Sequence, residues 1–251
     1  QNGLFINGAS TATTGQDAKK WIYSASVKHN FSPDFMVYAS TGSSWRPGIN
    51  VVGDFSQRMS ELEESFVNLP PESSKSYELG FKTLWLDKRL GLNGSLFYNN
   101  VKNGHLIVFN PAQALFSTAS LNYRSQGAEL EAVASLSSHL KLSAGLGFTQ
   151  AELVDVPEGS STGAKSGNRV PNMPRLNGSL GLEYEAPMQI AGASGRLKSH
   201  LGWQYVGKRA VDVKQSFDLP GYGVVNARIG WQQGDWELYA FAWNLLDKRY
   251  L

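Results

Sequence analysis

Ten segments of this chain alternate apolar and polar residues with a period of two, and the connections between them alternate between tight and wide. Leu90, Leu92, Leu96 and Tyr98 share one parity with Gly94, while Gly91, Asn93, Ser95 and Asn99 take the other, with Phe97 as the exception. A two-residue period is the signature of a strand with one apolar face. The same alternation sets Leu140, Leu142, Ala144, Leu146 and Phe148 against Lys141, Ser143, Gly145, Gly147 and Thr149. It recurs for Leu180, Leu182 and Tyr184 against Ser179, Gly181 and Glu183, and for Leu197, Leu201, Trp203 and Tyr205 against Lys198, His200 and Gln204.

Parity alone does not separate a soluble sandwich from a barrel in a membrane, because both hide one face of each strand. Length and connection pattern decide. A tilted strand needs about 9–11 residues to cross a bilayer, whereas ordinary strands run about 5–6. The spacing predicts strands over 20–29, 35–44, 75–86, 90–109, 119–136, 140–152, 174–184, 196–208, 222–231 and 236–246. Tight connections fall at 30–34, 87–89, 137–139 and 232–235; wide ones fall at 45–74, 110–118, 153–173 and 209–221. The connection 185–195 is no shorter than 110–118 and is placed with the tight set by its position in the order. Strands so joined reverse direction one after another, with the wide loops gathered at one end. Trp21, Tyr23, Trp85, Tyr98, Phe148, Tyr184, Trp203, Tyr205, Trp231 and Trp236 sit mainly toward segment ends, where amphipathic rings occupy the headgroup level of a membrane. The expected fold is an all-β, transmembrane, antiparallel up-and-down barrel.

Composition agrees. The mean hydropathy of -0.28 is wrong for a helical membrane protein, and no run of about 18 apolar residues is present to span as a helix. A net charge of +2, from 23 basic and 21 acidic residues, gives no field for nucleic acid. With no cysteine, disulfides and thiolate metal sites are excluded. Residues 1–20 are polar and lack the apolar core of a signal peptide, so the sequence reads as mature or as starting partway through something longer.

Four stretches carry a family resemblance: ESFVNLPPESSKSYELGFKTLWLDKRLGLNGSLFYNNVKN (64–103), SLNYRSQGAELEAVASLSSHLKLSAGLGFTQAEL (120–153), NRVPNMPRLNGSLGLEY (168–184) and YGVVNARIGWQQGDWELYAFAWNLLDKRYL (222–251). In this order and spacing the chain resembles the C-terminal barrel portion of TonB-dependent outer-membrane receptors, especially siderophore-type members. The resemblance implies a barrel of about 22 strands, of which the ten seen here are the twelfth through twenty-first. It also implies an N-terminal plug domain inside the barrel, a TonB-contacting segment before it and one closing strand, none of which this sequence contains. Tight turns then face the periplasm and wide loops the exterior of a Gram-negative cell.

What the resemblance implies about function is a receptor-transporter and not an enzyme, without a cofactor. Its partners are a ferric siderophore or another scarce nutrient, the TonB complex, and outer-membrane lipid and lipopolysaccharide. Glu78, Lys82, Glu129, Glu131, Lys141, Lys198 and Arg228 are the candidates to face the lumen and the plug. Trp45, Arg46, Tyr123, Arg124 and Tyr250 are the candidates to meet an anionic iron chelate, since arginine offers planar donors and aromatic rings offer a π face. Alternatives are a passive porin-like barrel, a receptor for cobalamin, haem or another nutrient, and a soluble β-sandwich binding module.

Catalytic signals are thin. His29, His105, His139 and His200 are scattered, and no G-x-S-x-G elbow is present. The stretch 159–166, GSSTGAKS, has its second glycine one position early for a phosphate loop and no strand-to-helix context, so it reads as a flexible loop. The acidic groups Glu61, Glu63, Glu64 and Glu152, Asp155, Glu158 are spaced too irregularly for a calcium loop and read as loop charge.

Overall fold

The computed structural model describes residues 19–50, 68–110 and 115–250. Its strands in chain order are β1 (Ser24–Ser32), β2 (Phe35–Arg46), β3 (Ile49–Asn50), β4 (Asn68–Leu69), β5 (Glu72–Trp85), β6 (Leu90–Asn110), β7 (Leu115–Ser135), β8 (Leu140–Leu153), β9 (Leu176–Ile190), β10 (Ala193–Val206), β11 (Arg209–Ala210), β12 (Asp218–Leu219), β13 (Tyr222–Gln233) and β14 (Trp236–Ala242). Ten of them form one antiparallel sheet in the order β1-β2-β5-β6-β7-β8-β9-β10-β13-β14, each long strand beside the next in sequence. The pairs β3–β4 and β11–β12 are two-residue ribbons in wide connections. No helix occurs among the described residues.

Directly paired residues in an antiparallel ladder project to the same side, so the register sorts the whole sheet into two faces. One continuous row runs Leu79–Leu96–Ala128–Phe148 across β5, β6, β7 and β8, and another runs Ala144–Leu180–Trp203 across β8, β9 and β10. Leu79, Leu96, Leu130, Leu146, Leu180 and Leu201 on this face are 44–59% exposed, and no second sheet of the described residues covers them. A soluble sandwich cannot leave such a field of leucines in water; a barrel turns it toward lipid. The apolar face therefore rejects the sandwich alternative.

Aromatic rings border that band. Trp85, Tyr184, Trp231 and Trp236 lie toward the tight-turn ends, while Tyr77, paired with Tyr98, and Trp203, stacked on Tyr205 at 5.9 Å, lie toward the wide-loop ends. From Tyr77 to Trp85 the strand advances eight residues, about 27 Å. A tilt of 35–45° leaves about 20 Å along the membrane normal, close to the apolar band of outer-membrane barrels.

Several boundaries differ from the sequence reading. The stretch 185–195 is a hairpin: β9 runs on to Ile190, β10 starts at Ala193, and the turn is Ala191–Gly192 with φ of 50° and 83°. Positive φ at both central residues is the turn that matches the twist of paired strands. Within 110–118 the described residues are strand, since β6 reaches Asn110 and β7 begins at Leu115. Strand β14 ends at Ala242, four residues short of the expected 246, because the backbone turns at Asn244 and Asp247, both with positive φ. The acidic group Glu61, Glu63 and Glu64 lies outside the described residues.

Candidate functional site

The polar face carries all seven wall candidates. Glu78 pairs with Ser40 and Phe97, Lys82 with Met36 and Asn93, and Glu131 with Asn93 and Gly145. Glu129 lies two residues from Glu131 on the same strand and face. A single cross-strand row joins Lys141, Glu183, His200, Arg228 and Phe241 over β8 to β14. Lys198 sits one step away, opposite Glu185. The alternation that predicted strands also predicts this grouping, because period-two residues on successive strands stay on one side whatever the loops do.

The wall is electrically divided. Toward β2, β5 and β7 it is acidic: the Tyr38 hydroxyl donates to Glu78, and Glu129 and Glu131 lie within electrostatic reach of that phenol. Toward β9, β10, β13 and β14 it is mixed. Arg196 pairs with Glu185 at 2.9 Å, His200 Nδ1 lies 3.9 Å from Glu183, and Arg228 donates to Glu237 at 3.2 Å while its guanidinium lies 4.1 Å from the Tyr239 ring centroid. These residues line a concave recess of about 1000 Å³ with Lys141 and Lys198 on its walls. Such a surface offers donors, acceptors and both charges to whatever fills it.

Ligand candidates from the sequence fall into two sets. Arg46 and Tyr123 are on the polar face, whereas Trp45 and Arg124 have the outward parity. Arg46 donates to Glu72 at 2.7 Å, and Glu72 also accepts from the His105 amide at 3.0 Å. The charges of both Glu72 and Arg46 reach Tyr123. Arg124 lies 3.7 Å from Glu152, which accepts from Gln150 at 2.6 Å. Tyr250 stacks on Tyr222 with centroids 4.2 Å apart and planes 12° from parallel, and Arg209 covers the Tyr222 ring at 5.7 Å. Glu72, Arg209 and Tyr222 were not singled out in the sequence. Tyr222 carries no signal, since its partner is 28 positions away in a segment without strand pairing.

The wide-loop end has a core of its own. Val108, Ala119, Leu121, Ala151, Leu153, Ala164, Val170 and Val213 form one buried cluster, with Leu153 at 0% and Val213 at 1% exposure. It locks the connections 154–175 and 207–221 onto β6, β7 and β8. Polar contacts reinforce it. Arg169 pairs with Asp218, Lys208 lies 3.3 Å from the same carboxylate, Asn168 donates to the Val213 carbonyl at 2.8 Å, and the Asn172 amide donates to Ala210 at 2.9 Å. Arg169 holds the Asp218 carboxyl below the usual carboxylate range. Burial alone raises the Asp212 carboxyl, but hydrogen bonds from Ser216 and the Lys214 amide outweigh it and leave Asp212 below its ordinary value. The GSSTGAKS stretch is a loop, as the sequence suggested, and it joins this packed platform through Ala164. Thr162 and Ala164 are buried, and the Thr162 hydroxyl accepts from the Ala164 amide at 3.2 Å. Among the described residues no group of three acidic or histidine side chains is placed to hold a metal ion.

Beyond β14 the NLLD stretch folds back on the wall. The Asn244 amide donates to Asn226 Oδ1 at 2.9 Å and the Leu245 amide to the Val225 carbonyl at 2.7 Å. Asn244 Oδ1 accepts from the Lys248 amide at 2.9 Å, closing a turn.

Comparison with known proteins agrees with this geometry. The family description "TonB dependent receptor-like, beta-barrel" matches residues 3–245. The chain is 25% identical over 253 residues to the ferrichrome outer membrane transporter/phage receptor of Escherichia coli (strain K12), covering 98% of this chain and 31% of that protein. It is 29% identical over 187 residues to the ferric-pyoverdine M114 receptor PbuA of Pseudomonas sp. (strain M114), covering 72% of this chain and 22% of the relative. The crystal structure of the ferric yersiniabactin uptake receptor FyuA from Yersinia pestis superposes with a TM-score of 0.71 at 21% identity, over 90% of this chain and 32% of FyuA. The chain thus spans about a third or less of the curated relatives it matches. These relatives are receptors and transporters of the Gram-negative outer membrane, a non-enzymatic family. An exposed apolar band, a polar wall and packed wide loops on a meander of ten strands, together with this match, make the chain a member of the TonB-dependent receptor family and part of its outer-membrane β-barrel.

Proposed function

We propose that the protein carrying this chain is an outer-membrane receptor that captures a ferric siderophore or a related metal chelate and moves it inward with energy from the TonB complex. The match of wall and loops alike to receptors named for metal chelates carries this reading. The polar wall supports it, because Glu78, Lys82, Glu129, Glu131, Lys141, Lys198 and Arg228 offer a plug domain hydrogen bonds and ion pairs on one side of a closed barrel. Arg46, Tyr123 and the Tyr222–Tyr250 stack beneath Arg209 are the groups we assign to chelate contact, cations and π faces being suited to a flat anionic ligand. Trp45 and Arg124, with outward parity, are left to the membrane boundary.

The test is uptake of radioactive iron by cells with and without the intact gene, offered as a panel of ferric siderophores, in energised cells and in cells lacking TonB. Loss of uptake of one chelate class on deletion, with equal loss without TonB, is the expected result. Uptake that persists without TonB would replace the energised receptor with a passive pore. Unchanged uptake of every iron chelate on deletion would move the substrate to cobalamin, haem or another nutrient.

A further inference from the structure

At the wide-loop end of β2 and β5 the polar face closes on an ion pair that leaves part of its own bonding capacity unused. Arg46 and Glu72 stand directly opposite each other as the last pair of that ladder. Arg46 Nη2 donates to Glu72 Oε2 at 2.7 Å, and the same oxygen accepts from the His105 amide at 3.0 Å. Among the described residues, Glu72 Oε1 and the other guanidinium nitrogens of Arg46 make no hydrogen bond. Both remain within reach of a solute, with the Arg46 side chain 50% exposed and that of Glu72 24%.

The pair is held from behind. His105 Nε2 lies 2.8 Å from the Pro70 carbonyl and Asn103 Nδ2 donates to the Pro71 carbonyl at 3.2 Å, which fixes the approach to Glu72. The Ser44 and Ser74 hydroxyls, 2.8 Å apart, form the next row below on the same face. Tyr123 feels both charges. Burial, with Glu72 behind it, holds its phenol above the ordinary value, so the phenol stays protonated and keeps a hydrogen to donate.

A guanidinium tied to a carboxylate is a poor receptor for a group that is only anionic. Such a group meets Glu72 beside Arg46, where partial burial weakens the screening by water, and is repelled unless it displaces the carboxylate. An amine alone is opposed by Arg46 in the same way. A group of both signs meets neither conflict: its carboxylate takes the unused N–H groups of Arg46, its ammonium takes Glu72 Oε1, and the pair stays intact. The bonds so formed are charge-assisted on both sides. Arg124 and Arg169 are accompanied likewise, by Glu152 at 3.7 Å and by Asp218, so the pairing of guanidinium with carboxylate recurs around this end.

We infer that Arg46 and Glu72 recognise an arm of the ligand that carries both a carboxylate and a protonated amine, as the end of an amino acid does, with the Tyr123 phenol as a third contact. This rests on the chelate reading above and sharpens it. The Tyr222–Tyr250 stack takes the flat part, and the ion pair chooses among chelates by what their arms end in.

The full-length receptor in detergent is titrated with synthetic ferric chelates, and binding is read from tryptophan fluorescence. A neutral trihydroxamate core and an anionic tricatecholate core are each made with one arm ending in an α-amino carboxylate, in a carboxylate alone or in an amine alone. A hydrogen bond to a charged group is worth about a factor of ten or more, so on a core that binds, the α-amino carboxylate arm is at least about tenfold tighter than either other arm. Glu72→Gln, which keeps an acceptor for the His105 amide, removes the advantage over the carboxylate arm. Arg46→Gln removes the advantage over the amine arm, Glu72→Asp keeps the order at reduced size, and Lys88→Gln in the opposite turn changes nothing. A pair that only closes the ladder gives another pattern: the variants unfold at lower temperature and weaken all three arms by one common factor. That pattern, or an unaltered receptor that does not rank the arms, would overturn the inference and leave the chelate reading standing; the ranking by the unaltered receptor needs no variant to fold. Binding of no chelate on either core would overturn the chelate reading itself, and this inference with it.

Discussion

Gly127 shows how a single position is fixed by its neighbours across the sheet. A Cβ there would stand 2.0 Å from the Phe148 carbonyl oxygen and 2.6 Å from the Phe97 ring, which lies across the glycine from the paired position. The same arrangement places Tyr38 over Gly80 and Phe81 over Gly94. A ring covering a glycine shields backbone that a side chain would otherwise protect, a device known to stabilise sheets. This explains why Phe97, the one large apolar residue that breaks the alternation of its strand, sits on the polar face. We expect Gly127→Val to destabilise the barrel by about 2 kcal/mol or more, seen as a lowered temperature for loss of the folded band on unheated gels. Gly192→Ala, at a turn position open to solvent, strains only its positive φ and should shift that temperature less. At Asp218 the direction of the pKa shift sets a pH window. Its carboxyl is depressed when Arg169 and Lys208 are in place, so its contribution is complete above the ordinary aspartate value of about 3.9 and fades as pH falls through the lower folded value. Hydrogen exchange at the Asn172 amide, bonded to Ala210 across the two loops, should keep the same protection factor from neutral pH to about pH 5. It should lose protection in Arg169→Ala at neutral pH.

The elements at the wide-loop end were the least legible. Alternation identified the ten strands because burial and lipid contact both act on every second residue, and it placed every wall candidate on one face. It could not find the platform. Val108, Ala119, Leu153, Val170 and Val213 meet from positions spread over a hundred residues, and each is unremarkable in its own segment. The order of connections put 185–195 with the tight turns, as the hairpin bears out, but alternation stopped the strands short of it, since its Ala191–Gly192 turn lacks the asparagine or aspartate that usually announces positive φ. The NLLD stretch, within the last of the four segments that carry the family resemblance, forms a turn closed by Asn226, Asn244 and the Lys248 amide. Removing the acceptor in Asn226→Ala leaves the Asn244 amide without its partner, a loss of about 1 kcal/mol. The expected readout is faster cleavage after Lys248 or Arg249 by trypsin with no change in the unfolding of the wall.

For the molecule as a whole, orientation is the testable claim. The 251 residues contain no cysteine, so a single introduced thiol reports cleanly from this part of the barrel. Ser161→Cys, exposed in the loop platform, should react with a membrane-impermeant maleimide on intact cells, and Lys88→Cys, in the opposite turn, only after the outer membrane is opened. Reversed labelling would invert the barrel. The length of β6 and β7, 21 residues each, then has a consequence outside transport. From Tyr98 at the belt to Asn110 the strand climbs twelve residues, about 40 Å along its axis and roughly 30 Å above the headgroups after tilt. With the wide loops outward, these paired strands stand above the headgroup level, and whatever approaches the membrane from that side meets them before it reaches the wall below.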